Sequence, residues 1–249
     1  MEIHHKLKHS KKPRKSKEYL FEFLTIFVAI TGSFFAENLR EHIVDRHKEK
    51  VYMESMLQDL KTDSINLISV IEQNRAQIKG LDSLLKVMNN NLVGNEIKQF
   101  YSFDLKYTLN YNAFNPIIRT ISQLMNTGGL GLIKVKAVAD GIVGYDNAEN
   151  SILNQAELLE TQFTKIIDQQ AGIIDLLAIM KPRPRLSTSQ LKEYPKLLTN
   201  DRKTIHAYYF HLIIYKGSIN AYTQRLNGLL NQATFLIQLI QKEYNLGEK

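Results

Sequence analysis

Apolar side chains recur along this chain in alternating steps of three and four, the spacing that lines one face of a helix. A first seam runs from Met53 through Leu57, Leu60, Leu67, Ile71, Ile78, Leu81, Leu85 and Met88 to Leu92, with Ser64 and Asn74 as polar exceptions. A second runs from Val138 through Ile142, Tyr145, Ile152, Ala156, Leu159, Phe163, Ile166 and Ile173 to Leu177 and Met180, with Glu149 and Gln170 as exceptions. A third, from Ile205 through Tyr208, Leu212, Tyr215, Ile219, Tyr222, Leu226, Leu229, Ala233 and Leu236 to Ile240, has none. Seams of this length predict long helices packed side by side at about 20°. Sustained period-two alternation is absent, so no sheet is expected.

Turn signals divide these seams. Asn115 followed by Pro116 predicts an N-cap and first helical position for a short helix ending near Asn126, stopped by Gly128 and Gly129. Pro182 and Pro184 are expected to end the second long helix. Thr199 or Asn200, ahead of Asp201, is expected to cap the third. Residues 93–114 read as a turn holding at most a short helix. The expected fold is therefore all-α: an N-terminal transmembrane helix followed by an elongated helical bundle of three long helices plus a short one.

The membrane assignment rests on residues 19–36. Thirteen of these eighteen are apolar and only Glu22 is ionisable. As a helix they rise about 27 Å, close to a hydrocarbon core of roughly 30 Å. A cleaved signal peptide ending near Thr31–Ser33 and a buried helix of a soluble protein are the competing readings. Charge sets the orientation. Residues 1–18 carry seven Lys or Arg and two Glu, whereas Arg40, Arg46, Lys48 and Lys50 are interleaved with Glu37, Glu41, Asp45 and Glu49. That asymmetry holds the N-terminus in the cytoplasm and exports the rest, in a Gram-negative cell to the periplasm. The expected organisation is a basic tail (1–18), a span (19–36), a polar helical stalk held by i,i+3 and i,i+4 ion pairs (37–52) and a periplasmic bundle (53–249).

Charge and composition narrow the function further. The net charge is +7, but residues 19–249 hold only +2 of it, so no basic stripe for nucleic acid is expected. The chain has no cysteine, which removes disulfides, thiolate metal sites and cysteine nucleophiles. His42 and His47, like His206 and His211, are five apart, off the spacing of a helical zinc pair. His4, His5 and His9 lie in the basic tail, where no fixed ligand geometry is expected. No phosphate loop, nucleophile elbow or Glu-x-x-His pair within a long helix is present, so no catalytic residue, cofactor or metal is expected.

Four sets of residues remain to be weighed. Glu22 is either an intramembrane carboxylate that moves protons or meets a partner, or a group one turn inside the span that reaches interfacial water. Lys181, Arg183 and Arg185 lie in a loop that would return to the membrane and touch lipid phosphates, or is merely solvated. Tyr208, Tyr209, Tyr215 and Tyr222, near His206 and His211, line a small-molecule pocket or, as helical spacing favours, fill the core. Asp59 and Asp63 share a helix face and read as solvated, whereas Ser64, Asn74, Glu149 and Gln170 on the seams read as register-setting or water-binding.

Three segments carry a family likeness. They are Glu-Tyr-Leu-Phe-Glu-Phe-Leu-Thr-Ile-Phe-Val-Ala-Ile-Thr-Gly from Glu18, leading to Glu37-Asn-Leu-Arg40; Tyr-Met-Glu-Ser-Met-Leu-Gln-Asp-Leu-Lys-Thr-Asp from Tyr52; and Thr-Gly-Gly-Leu-Gly-Leu-Ile-Lys from Thr127. The chain resembles an uncharacterised family of bacterial single-span inner-membrane proteins with a helical exported domain. The resemblance implies topology and no activity or site residue. With no catalytic set, the expected role is a non-enzymatic scaffold or protein-interaction module that binds a partner or itself, with inner-membrane lipids around its span and no nucleic acid or small-molecule substrate. A ligand-sensing bundle that signals through a partner, its short tail being too small for a signalling domain, and an accessory of a membrane complex that uses Glu22 are the alternatives.

Overall fold

The computed structural model describes residues 16–90, 92–180 and 196–247. Every regular element among them is helical: α1 (Ser16–Met88), α2 (Asn95–Tyr107), α3 (Arg119–Asn126), a 3-10 turn (Gly129–Leu132), α4 (Lys136–Gln170), α5 (Leu176–Met180) and α6 (Arg202–Tyr244). The chain divides into two compact units, Met1–Lys50 and Val51–Lys249.

In the first unit, residues 19–36 of α1 are exposed apart from a half-buried Thr31. This stretch is long and apolar enough to cross a membrane, and none of it is buried by the chain. Its hydroxyls turn inward onto the helix: Thr25 donates to the Phe21 carbonyl and Ser33 to that of Ala29, each at 2.8 Å. Polar atoms satisfied within the segment suit a solvent that offers no hydrogen bonds. Beyond it the expected ion pairs form between Glu37 and Arg40 at 2.5 Å and between Asp45 and Lys48 at 4.0 Å.

In the second unit one core joins the remainder of α1 to α2, α3, α4 and α6. The third seam is buried at each of its positions from Tyr208 to Ile240, while its first, Ile205, is half-buried. Asp201 is itself the N-cap of α6, accepting from Thr204 N at 2.9 Å, while Thr199 Oγ1 accepts from Asp201 N. Gly141 lets α4 approach α6 closely, since a Cβ there would lie 3.0 Å from Leu236 Cδ1. At Gly80 a Cβ would run into the Tyr107 ring, so the absent side chain lets the end of α2 lie against α1.

Four expectations are corrected. The second long helix ends at Gln170, twelve positions before Pro182. The chain turns at Ala171–Ile173 because Ile173 and Ile174 are buried and Asp175 N donates to the Tyr101 hydroxyl at 3.1 Å. Leu177 and Met180 are accordingly exposed rather than part of the seam. The short helix starts at Arg119 rather than Pro116, since Ile117 N is drawn onto Asp63 of α1 at 3.1 Å. Leu92 lies past the end of α1, and three short α-helices stand where one was expected.

The segment between α2 and α3 is an extended crossing held by distant side chains. Gln77 Nε2 donates to the carbonyls of Tyr107 and Asn110, both at 2.9 Å. Tyr215 donates to Asn110 O at 3.1 Å, and Phe114 N donates to the Tyr222 hydroxyl at 2.9 Å. Backbone groups that leave regular structure within a core need such partners.

Candidate functional site

The polar chemistry of the second unit is internal. Asp59 and Asp63, read from the sequence as solvated, are 4% and 1% exposed. Both lie on the face of α1 that receives the crossing segment and α3. Asp59 accepts from Thr120 Oγ1 at 2.5 Å and from Arg119 at 2.8 Å. Asp63 accepts from Ile117 N and, at 3.4 Å, from the Tyr145 hydroxyl of α4.

One turn along α4, Glu149 is 2% exposed and its Oε1 makes no hydrogen bond. Burial, then the charges of Asp63 and Asp146, push its carboxyl up to about 8, against a partial offset from the Tyr145 hydroxyl. Asp63 is pushed up to about 6, chiefly by burial. Tyr145, between two carboxylates in a buried site, is raised above the ordinary phenol range.

A second carboxylate site forms where α2, α4 and α6 meet. Asp104, fully buried, accepts from the Tyr208 hydroxyl, from Gln170 Nε2 and from Thr108 Oγ1. Burial raises its carboxyl to about 6 even so, the three donors acting in the opposite direction. Gln170, a polar exception on the second seam, thus donates across elements to Asp104 and Thr108. Asn74 lies at a third polar site, accepting from Asn112 Nδ2 at 3.3 Å, and Ser64 donates to its own helix at Leu60 O.

Tyr208, Tyr215 and Tyr222 are core residues, the reading their spacing favoured. Tyr209 and His206 instead face a cleft of about 760 Å³ shared with Asn89, Asn90, Val93 and Arg202. On its outer side α6 is short of charge. From Phe210 to Gln224 each exposed residue is uncharged, and Phe210, Ile213 and Ile214 are 54%, 42% and 40% exposed. Between Lys203 and Lys242 the only exposed Lys, Arg, Asp or Glu on α6 is Arg225, which donates to Ser151 Oγ.

Glu22 sits on the exposed apolar stretch of α1. Lys181, Arg183 and Arg185 lie outside the described residues, as do His4, His5 and His9. Among the described residues no group of three His, Asp or Glu is arranged to hold a metal ion.

Reading the sequence missed Asp59, Asp63 and Gln77 as buried groups. A signal for them exists. Met56, Asp59, Asp63, Leu67, Val70, Asn74, Gln77, Leu81 and Leu84 also step by threes and fours, a second seam beside the first. Two adjacent seams make a face too wide for one partner helix, so α1 needs cover from more than one element.

Comparison of the chain with protein-family models, with curated proteins and with solved structures finds no match.

Proposed function

We propose that this is a non-enzymatic membrane-anchored protein of the Gram-negative inner membrane whose exported helical body binds another protein or a second copy of itself. Residues 19–36 are the anchor, with the basic N-terminus cytoplasmic and the body, an elongated bundle built on its three long helices, in the periplasm. The observation that carries the interaction role is the outer face of α6. Over about 21 Å the exposed residues of this helix are uncharged and three apolar side chains stand out among them, the one lysine there, Lys216, being half-buried and paired with Asp82, in a chain that is 23% charged. Exposed apolar patches on folded domains mark contact surfaces.

Photo-crosslinking side chains placed at Phe210 and Ile214 in native membranes test this. A discrete crosslinked product, read by mass spectrometry as one partner or as the chain itself, is the expected result. Recovery of uncrosslinked chain alone would remove the interaction role. Accessibility of a tag at Lys249 from outside the cytoplasmic membrane tests the orientation.

The cleft beside His206 and Tyr209 favours a second reading, a ligand-sensing body. A thermal-shift screen against small anions and amphiphiles checks it, and that reading falls if nothing stabilises the body.

A further inference from the structure

We infer that the contact between α1 and α4 at Asp63, Tyr145 and Glu149 is a proton-binding site that holds one proton between two carboxyl groups and loosens when that proton leaves. Two carboxyl groups, each at most 2% exposed, face a single shared hydroxyl. Tyr145 has one proton to offer the two acids, its hydroxyl lying 3.4 Å from Asp63 Oδ2 and within reach of Glu149 as well. Glu149 Oε1 is left without a hydrogen-bond partner. A buried carboxylate without a cation or a full set of donors is costly, so the neutral acid is the favoured form.

Among the described residues the surroundings supply no cation. From α1 the site meets Asp63, with Asp59 beyond it, and from α4 itself Tyr145 and Asp146. From α3 comes Arg119, which is engaged by Asp59 at 2.8 Å. At this level α6 brings the buried Thr223 and Leu226 to the core, and its Arg225 donates to Ser151. Among the described residues no Lys or Arg pairs with Asp63 or Glu149.

When the proton leaves, two negative charges share one dry contact between two helices. The opposing charges lie on different elements, so the repulsion acts across the packing of α1 on α4. At neutral pH the contact is closed, and it weakens as the medium turns alkaline. Since Asp63 and Asp104 titrate near 6 and Glu149 near 8, the interval between pH 6.5 and 8 isolates Glu149.

The test uses the full chain in detergent micelles, with the unfolding constant measured from pH 5 to 9 for the native protein and for Glu149→Gln. The native protein is expected to unfold more readily by about sixfold per pH unit on average from 6.5 to 8, approaching the one-proton limit of about tenfold at the lower end and falling to half that logarithmic slope at pH 8. Glu149→Gln, which fixes the neutral state, should be flat over that interval. Equal slopes in the two proteins would overturn the proposal. Tyr145→Phe provides an independent arm. Without the hydroxyl that favours the ionised acid, the native decline should move to higher pH, and an unmoved decline would also overturn it. Infrared difference spectra across the same interval should show a protonated-carboxyl band that disappears on alkalinisation and is absent in Glu149→Gln. If sodium chloride restores the native protein at pH 9, but not Glu149→Gln, the site takes a monovalent cation instead and the proton assignment fails.

Discussion

Asp104 and Glu149 are both buried carboxyl groups between helices, yet the chain provides for them in opposite ways. Asp104 is met by three donors from three elements: Tyr208 on α6, Gln170 on α4 and Thr108 after α2. Glu149 shares one tyrosine with Asp63 and keeps an oxygen without a partner. Both are pushed upward by burial, but only to about 6 for Asp104 against about 8 for Glu149. Burial alone therefore does not set the outcome. The number of donors each site spares for its carboxyl separates a group that ties the fold together from one that strains it.

The largest expected effect follows from removing the tie. Asp104→Ala leaves the Tyr208 hydroxyl without its acceptor, whereas Gln170 keeps Thr108 Oγ1 at 2.9 Å and Thr108 keeps the backbone carbonyl of residue 104 at 2.8 Å. One buried donor left unpaired costs about 1–3 kcal/mol and the space left by the carboxyl adds to it, so a loss of about 2–3 kcal/mol is expected by urea unfolding. Glu149→Leu leaves Tyr145 its bond to Asp63 and removes an unpartnered charge, and is expected to be neutral or stabilising at pH 8. A similar loss in both variants would break the comparison.

Next in size is the pH dependence, and its sign follows from linkage. Each of these carboxyl groups has its folded value above its ordinary one, so the folded state binds more protons than the unfolded chain. The stability these three groups contribute is fully present below their ordinary values and is lost as pH rises. The contributions of Asp104 and Asp63 are lost by about pH 6, and that of Glu149 only by about pH 8. Asp104→Asn should remove part of the lower decline and leave the upper one, as read from thermal midpoints across the range. An upper decline that vanishes with Asp104 would assign it to the wrong site.

How far these sites were legible in the sequence depends on whether their partners are local. The apolar seam of α6 is complete within one helix and is legible from Tyr208 to Ile240, and residues 19–36 are legible as a helix long and apolar enough to cross a membrane. Glu149 and Gln170 were visible as polar residues on an apolar seam, because that exception is also local. Asp59, Asp63 and Gln77 were not, since what buries them is the segment 108–118, whose path is set by hydrogen bonds to residues 30 to more than 100 positions away. The end of α4 was misplaced for the same reason. Ala171–Gly172 is a weak stop beside two prolines, and the turn there depends on Tyr101 and on burial of Ile173 and Ile174.

A pair of tyrosine substitutions sharpens the contrast at smaller scale. Tyr208→Phe removes one of three donors to a carboxylate that has no other relief, and a loss of about 1–2 kcal/mol is expected. Tyr145→Phe removes a long bond at 3.4 Å and leaves Asp63 its bond from Ile117 N, so less than about 1 kcal/mol is expected near pH 6. Equal losses would mean that donor number is not what distinguishes the two sites.

The smallest effect belongs to the third buried acid, Asp59, which has a cation. The Arg119 side chain is 69% exposed while that of Asp59 is 6% exposed, so the charge on one side of this pair remains in water. Exposed arginines pair weakly, and Asp59 keeps the Thr120 hydroxyl at 2.5 Å when the arginine is gone. Arg119→Gln is therefore expected to cost less than about 1 kcal/mol, with the loss shrinking further in about 0.5 M salt, where the Debye length falls to roughly 4 Å from about 10 Å at 0.1 M. A loss as large as that of Asp104→Ala would show that the cation, rather than the hydroxyl and amide donors, holds the acids of this body in place. The ordering Asp104, Tyr208, Arg119 would then have to be inverted.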